Sequence, residues 1–166
     1  MSVILIGMPS CGKSTLGVLL AKKLGYRFID SDLIIQETEG KLLHEIISER
    51  GVDGFIAVEQ KVNMSINDSR AVISTGGSAV YGEEAMKHFR RLGTVVYIKI
   101  SCETMLSRLG DYVHRGVVMR EGRSLEDMYR ERSVLYERFA HVIVETEGRD
   151  ISDTLDEIAK AVKNAE

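Results

Sequence analysis

Apolar residues along this chain fall into two kinds of pattern. Short apolar runs at Val3–Ile6, Arg27–Asp30, Ala71–Thr75, Thr94–Ile100 and His141–Val144 alternate with longer segments in which apolar positions recur at helical spacing. A strand covered on both faces reads as a continuous apolar run, and such coverage is what helices on either side of a parallel sheet provide. The alternation therefore predicts an α/β fold with five parallel strands. Gly25 and Gly51 stand where helices should stop, and Ser124-Leu125-Glu126-Asp127 has the spacing of a capping box that opens a helix running through Arg138. Two stretches depart from the alternation. Residues 33–60 insert helical material where the chain could have returned to the sheet, and residues 110–122 are irregular, basic and glycine-containing. The first has the character of a substrate-binding insertion and the second of a lid.

The connection after the first strand carries the strongest chemical signal. Gly7-Met8-Pro9-Ser10-Cys11-Gly12-Lys13-Ser14 lies between a predicted strand and a helical pattern that begins at Thr15 and ends at Gly25. This is the spacing and setting of a phosphate-binding P-loop. Its glycines let successive N–H groups turn toward phosphate oxygens, and the following helix adds the positive end of its dipole. Gly7, Ser10, Cys11, Gly12, Lys13, Ser14 and Thr15 are thus the expected triphosphate cradle, with Lys13 on the β- and γ-phosphates and Ser14 on a magnesium ion.

Composition narrows the partners. At 166 residues the chain suits one domain, and its net charge of −3 supplies no general attraction to nucleic acid or an anionic membrane. No apolar run reaches the roughly 18 residues of a membrane span, so a cytoplasmic protein is expected. Cys11 and Cys102 do not form a metal-ligand cluster, and a thiol within the P-loop suits a reducing compartment. No exposed apolar stripe points to a partner chain, which makes a monomer the expectation.

Further polar residues fall where ligands bind in open α/β sheets, at the carboxyl ends of strands. Asp30 and Asp32 end the second strand; two apart in extended backbone, they would project to one side, one holding magnesium and the other taking a proton from an attacking hydroxyl. Ser74-Thr75-Gly76-Gly77-Ser78 follows the third strand, and its paired glycines permit a ligand to approach the backbone. Arg115 in the lid could stabilise charge on a transferring phosphoryl group, and Arg132 could fork onto a substrate carboxylate. Arg108 and Arg149 are candidates for stacking on the base.

Taken in order, Gly7–Thr15, Asp30-Ser31-Asp32, the stretch Glu49-Arg50-Gly51…Phe55…Glu59, Thr75-Gly76-Gly77, the lid and Arg132…Leu135-Tyr136 resemble the shikimate kinase family, which belongs to the nucleoside-monophosphate-kinase-like P-loop folds. The resemblance implies a three-layer P-loop kinase fold with strand order 2-3-1-4-5, in a single kinase domain spanning 1–166. It also implies transfer of the ATP γ-phosphate to the 3-hydroxyl of shikimate, with Mg2+. By that match Lys13, Asp32 and Arg115 are catalytic, and Arg115 also contacts ATP. Ser14 and Asp30 hold the metal, while Asp32, Gly76, Gly77, Ser78 and Arg132 contact the acceptor. Three departures bear on the acceptor. Ile56 stands where the family usually carries a carboxylate-binding arginine, Ser78 replaces the third glycine of the turn, and Gly116 and Val134 replace prolines. Three readings follow: a shikimate kinase in which Arg132 alone, or with Lys61 or Arg70, holds the carboxylate; a kinase for another small polyol or sugar acid; or a nucleotide-binding sensor without acceptor chemistry.

Overall fold

The computed structural model describes residues 1–110 and 116–164. Strands β1 (Ser2–Gly7), β2 (Arg27–Asp30), β3 (Ala71–Ser74), β4 (Gly93–Lys99) and β5 (Val142–Glu145) form one sheet in the order β2-β3-β1-β4-β5, with every neighbouring pair parallel. All five apolar runs became strands, displaced by at most a residue or so. The central strand explains the unbroken run at the start of the chain: Val3, Ile4, Leu5 and Ile6 have no exposed surface, because helices cover both faces.

Among the described residues the helices are α1 (Lys13–Leu24), α2 (Ser31–Glu39), α3 (Leu43–Ser65), α4 (Glu83–Leu92), α5 (Cys102–Leu109), α6 (Leu125–Phe139) and α7 (Ile151–Asn164), with one 3-10 turn at Ala79–Tyr81. Gly25 ends α1 in a left-handed cap, donating its N–H to the Ala21 carbonyl. The Ser124 hydroxyl accepts from the Asp127 N–H at 3.1 Å, and the Asp127 carboxylate accepts from the Ser124 N–H at 3.2 Å, closing the capping box that opens α6. Gly51 stops the first helical part of α3, as expected. The backbone breaks there, at φ 70° and ψ 178°, and α3 then resumes to Ser65. The continuation has an apolar stripe to bury, with Phe55, Val58 and Val62 all inside.

That stripe belongs to an apolar cluster separate from the core around the sheet. Ile35 of α2, Ile46, Phe55, Val58 and Val62 of α3, and Val118 pack together. The helical material expected at 33–60 is therefore the α2–α3 pair, spanning 31–65. Val118, only 3 % exposed, ties the irregular segment after residue 116 to this pair. The connections after β1, β2 and β3 all leave the carboxyl edge of the sheet, in register: Asp30 pairs with Ser74 and Leu5 with Ser74.

Candidate active site

The P-loop is built from backbone conformation first. Gly12 adopts φ 95° at the N-cap of α1, a left-handed geometry that side-chain-bearing residues rarely take, and this turns the loop into the first turn of the helix. Lys13 is buried, and its Nζ donates to the carbonyls of Gly7 and Met8, each at 2.8 Å. Its ammonium is thus held over the loop beside the helix N-terminus, where phosphate oxygens are favoured. The Ser14 hydroxyl donates to Asp30 Oδ2 at 2.9 Å and lies 3.2 Å from the Ser74 hydroxyl. Three elements thereby meet at Ser14 through oxygen atoms alone, a donor set suited to a hard cation such as Mg2+, which takes one or two protein ligands and keeps several waters.

The second half of the site is made of side chains. Asp30 and Asp32 do not both lie in extended backbone: Asp30 is the N-cap of α2, its Oδ1 accepting from the Asp32 N–H at 3.0 Å, and Asp32 stands in the first turn of the helix. The cap separates the two carboxylates, sending Asp30 to Ser14 and Asp32 toward Gly76. A Cβ at Gly76 would meet Asp32 Oδ1 at 2.7 Å and Glu59 Oε1 at 2.5 Å, so glycine is what lets both carboxyl groups approach the turn. Desolvation, together with the Asp30 charge, raises the Asp32 pKa to about 6, against the pull of Lys13. Glu59 is raised further, to about 8, chiefly by burial and then by Asp32.

Arg132 of α6 supplies the opposite charge. Only 1 % exposed, it donates through Nη2 to the Val118 carbonyl, sits 5.4 Å from the Tyr81 ring centre, and leaves Nε buried with no partner among the described residues. One turn on, the buried Tyr136 hydroxyl donates to the Gly77 carbonyl at 2.6 Å, so α6 fixes both the guanidinium and the glycine turn beside it. Between the halves lies a cavity of about 260 Å³, whose lining includes Lys13, Ser14, Asp32, Gly76, Gly77, Ser78 and Arg132. Phe55, Leu43, Val117 and Val118 close it with apolar surface. Its volume suits a single small ring.

Of the residues picked out in the sequence, Ser10, Gly12, Lys13, Ser14 and Thr15 line the cavity directly; Gly7 and the buried Cys11 lie beneath it, packed on each other. Arg115 lies outside the described residues. Ile56 does not line the cavity but packs into the α2–α3 apolar cluster. Arg70 cannot take over for an arginine at that position: it precedes β3, at the opposite edge of the sheet, and stacks over Tyr26 at 5.5 Å. Lys61 is exposed and is not among the lining residues. Arg149 is paired with Glu157, and Arg108 stands in the last turn of α5, away from the lining. Glu59 had no assigned chemistry in the sequence. An acid at i+4 from Phe55 on an apolar stripe was the signal for it, since an acid on a buried helix face must have a reason to be there.

This arrangement, a phosphate-binding loop facing a small pocket lined by one carboxylate and one buried guanidinium, suits phosphoryl transfer to a small acceptor. Comparison with known proteins agrees over nearly the full length. The sequence model for shikimate kinase matches residues 9–163. The chain belongs to the shikimate kinase family. A shikimate kinase of Clostridium botulinum (strain Loch Maree) is 36 % identical over 98 % of this chain and 96 % of its own. The shikimate kinase of Aquifex aeolicus superposes with a TM-score of 0.86 at 31 % identity, covering 99 % of this chain and 98 % of that one. That of Acinetobacter baumannii, solved in complex with shikimate, superposes with a TM-score of 0.89 at 28 % identity, covering 99 % and 94 %. Shikimate kinases are small-molecule phosphotransferases that use ATP, and the five-stranded sheet of order 2-3-1-4-5 is the frame they share with this chain.

Proposed function

We propose that the protein transfers the γ-phosphate of ATP to the 3-hydroxyl of shikimate, in the cytoplasm, with Mg2+ held by Ser14 and Asp30. The observation that carries this reading is the convergence of Lys13, Asp32 and Arg132 on one small cavity. Bound there, the metal would offset charge on the β- and γ-phosphates. Lys13 binds the same phosphates and holds them in line. Asp32, ionised at neutral pH, orients the acceptor hydroxyl and accepts its proton as the oxygen attacks. Gly76, Gly77 and Ser78 form the floor against which the ring rests, and Arg132 takes the acceptor carboxylate with its guanidinium. We assign α2–α3 as the acceptor-binding insertion, residues 110–122 as the lid, and Arg115 as the lid's charge-stabilising arginine.

With isoleucine at position 56, Arg132 is the single buried guanidinium among the described residues available to that carboxylate. Apolar packing around the ring, from Phe55, Leu43, Val117 and Val118, compensates by excluding water, which strengthens the remaining ion pair. Coupled ADP release with ATP and Mg2+, with shikimate varied well into the millimolar range, tests the reading. Saturable stimulation by shikimate is the expected result. Stimulation instead by a sugar acid or neutral polyol would transfer the reading to that acceptor, and ATP binding without stimulation by any of them would make the chain a nucleotide sensor.

A further inference from the structure

Glu59 is the buried ionisable group that the proposed reaction leaves unused. It is 1 % exposed, and its Oε2 accepts from the Ser78 hydroxyl at 2.6 Å. Oε1 is buried with no hydrogen-bond partner among the described residues and faces the same point beside Gly76 as Asp32 Oδ1. The charged groups around it come from three elements: Lys13 from α1, Asp32 from α2 and Arg132 from α6. Neither cation hydrogen-bonds to it among the described residues, since Lys13 is engaged by the Gly7 and Met8 carbonyls and Arg132 by the Val118 carbonyl. Its own helix adds no cation on this face, because Ile56 packs into the apolar cluster and Lys61 is exposed. A buried carboxylate with one hydroxyl donor, facing a second carboxylate, is poorly compensated; the neutral acid is not.

We propose that Glu59 is a positioning residue that works as a neutral carboxylic acid, anchoring the Gly76–Ser78 turn through Ser78 and leaving Asp32 as the one negative charge that faces the acceptor. An ionised Glu59 would double that charge next to an anionic acceptor and draw on the field of Arg132, weakening acceptor binding while the phosphate loop stays intact. Burial places this change at about pH 8. The inference rests on the proposed acceptor reaction for its kinetic readout but not for its thermal one.

The experiment compares the wild-type chain with Glu59→Gln, which mimics the neutral acid in shape and keeps an acceptor for Ser78, and with Glu59→Leu, which does not. With shikimate as the acceptor, the wild-type KM should rise about tenfold between about pH 7 and pH 9, as each unit above the pKa lowers the neutral fraction about tenfold. In Glu59→Gln it should stay within about threefold over that range, with the KM for ATP flat in both. Glu59→Leu should raise the acceptor KM at every pH. Removing the Ser78 hydroxyl with Ser78→Ala takes away a donor that favours the ionised form, so the wild-type rise should move to higher pH. The thermal arm needs no acceptor. A carboxyl whose folded pKa lies above its unfolded value holds a proton that the unfolded chain has lost, so its contribution to stability falls as pH rises from about 4.5 to about 8. The Tm of Glu59→Gln relative to wild type should therefore climb between about pH 6 and pH 8, with Asp32 common to both chains. A Tm difference that stays constant over that window overturns the proposal whatever the acceptor proves to be, as does a Glu59→Gln KM that rises with pH as the wild type's does. A rising Tm difference with no response to shikimate would leave Glu59 neutral and instead refute the shikimate reading.

Discussion

The proposed donor and acceptor halves of this site are made in opposite ways. The donor half is contiguous, one turn between β1 and α1, and its specificity lies in backbone N–H groups and a left-handed glycine, with one lysine curled over its own loop. The acceptor half gathers Asp32 from α2, Glu59 from α3, the glycine turn after β3, and Arg132 and Tyr136 from α6. In the first, the one buried charge, Lys13, is held by backbone carbonyls beside the positive end of a helix. In the second, charges are buried against one another, so each group's protonation depends on its neighbours. The difference implies that the two halves should fail separately: acceptor-half changes should alter turnover and acceptor affinity while leaving ATP affinity alone.

The largest separation is expected from Asp32→Asn. Losing the base should lower kcat by about 10²–10⁴-fold, while ATP affinity, measured by calorimetry, stays within a few-fold. A variant that kept full rate would remove Asp32 from the chemistry. Arg132→Met comes next. Truncating one partner of a buried charge pair costs about 2–5 kcal/mol, so the acceptor KM should rise from about 30-fold to a few thousand-fold, with the KM for ATP steady. Should both constants rise together, α6 would be supporting the whole site and the two halves would not be separable. Gly76→Ala sharpens the comparison by adding a methyl group without removing a charge. A Cβ there would lie 2.5 Å from Glu59 Oε1 and 2.7 Å from Asp32 Oδ1, so the carboxylates must shift. Displacement on this scale should cost on the order of 10²-fold in acceptor kcat/KM, again without loss of ATP binding. The smallest effect belongs to neither half: Ser124→Ala removes the α6 cap at about 1 kcal/mol, lowering Tm by about 2–4 °C. Since α6 carries Arg132 and Tyr136, a disproportionate loss of acceptor affinity in that variant would show the cap to be holding the site as well as the helix.

Legibility in the sequence followed the same division. The strand runs, the α6 cap and the P-loop were all readable because each is decided within a few residues by burial, capping geometry or the reach of one loop. Asp30 and Asp32 were readable as a pair at the carboxyl edge of the sheet but not in their conformation. The cap that places Asp32 on a helix depends on Asp30 accepting a backbone N–H, and that hydrogen bond competes with continued strand. Gly51 was readable as a stop, and its backbone does break the helix; that a second helix follows at once to fill another core was not, because that core forms only when α2 and α3 pack.

The sequence alone determined the sheet's composition, the phosphate loop, and the identities of Lys13, Ser14, Asp32 and Arg132 as groups worth watching, since local periodicity and the fixed spacing of a P-loop are one-dimensional signals. Tertiary structure alone decided that Ile56 faces an apolar cluster rather than the cavity, that Arg70 lies on the wrong edge of the sheet, and that Glu59 stands beside Asp32 across Gly76. Those facts depend on how α2, α3 and α6 pack against the turn after β3. Because burial and neighbouring charge set the protonation of a carboxyl group, the chemistry of the acceptor half exists only once those elements have come together.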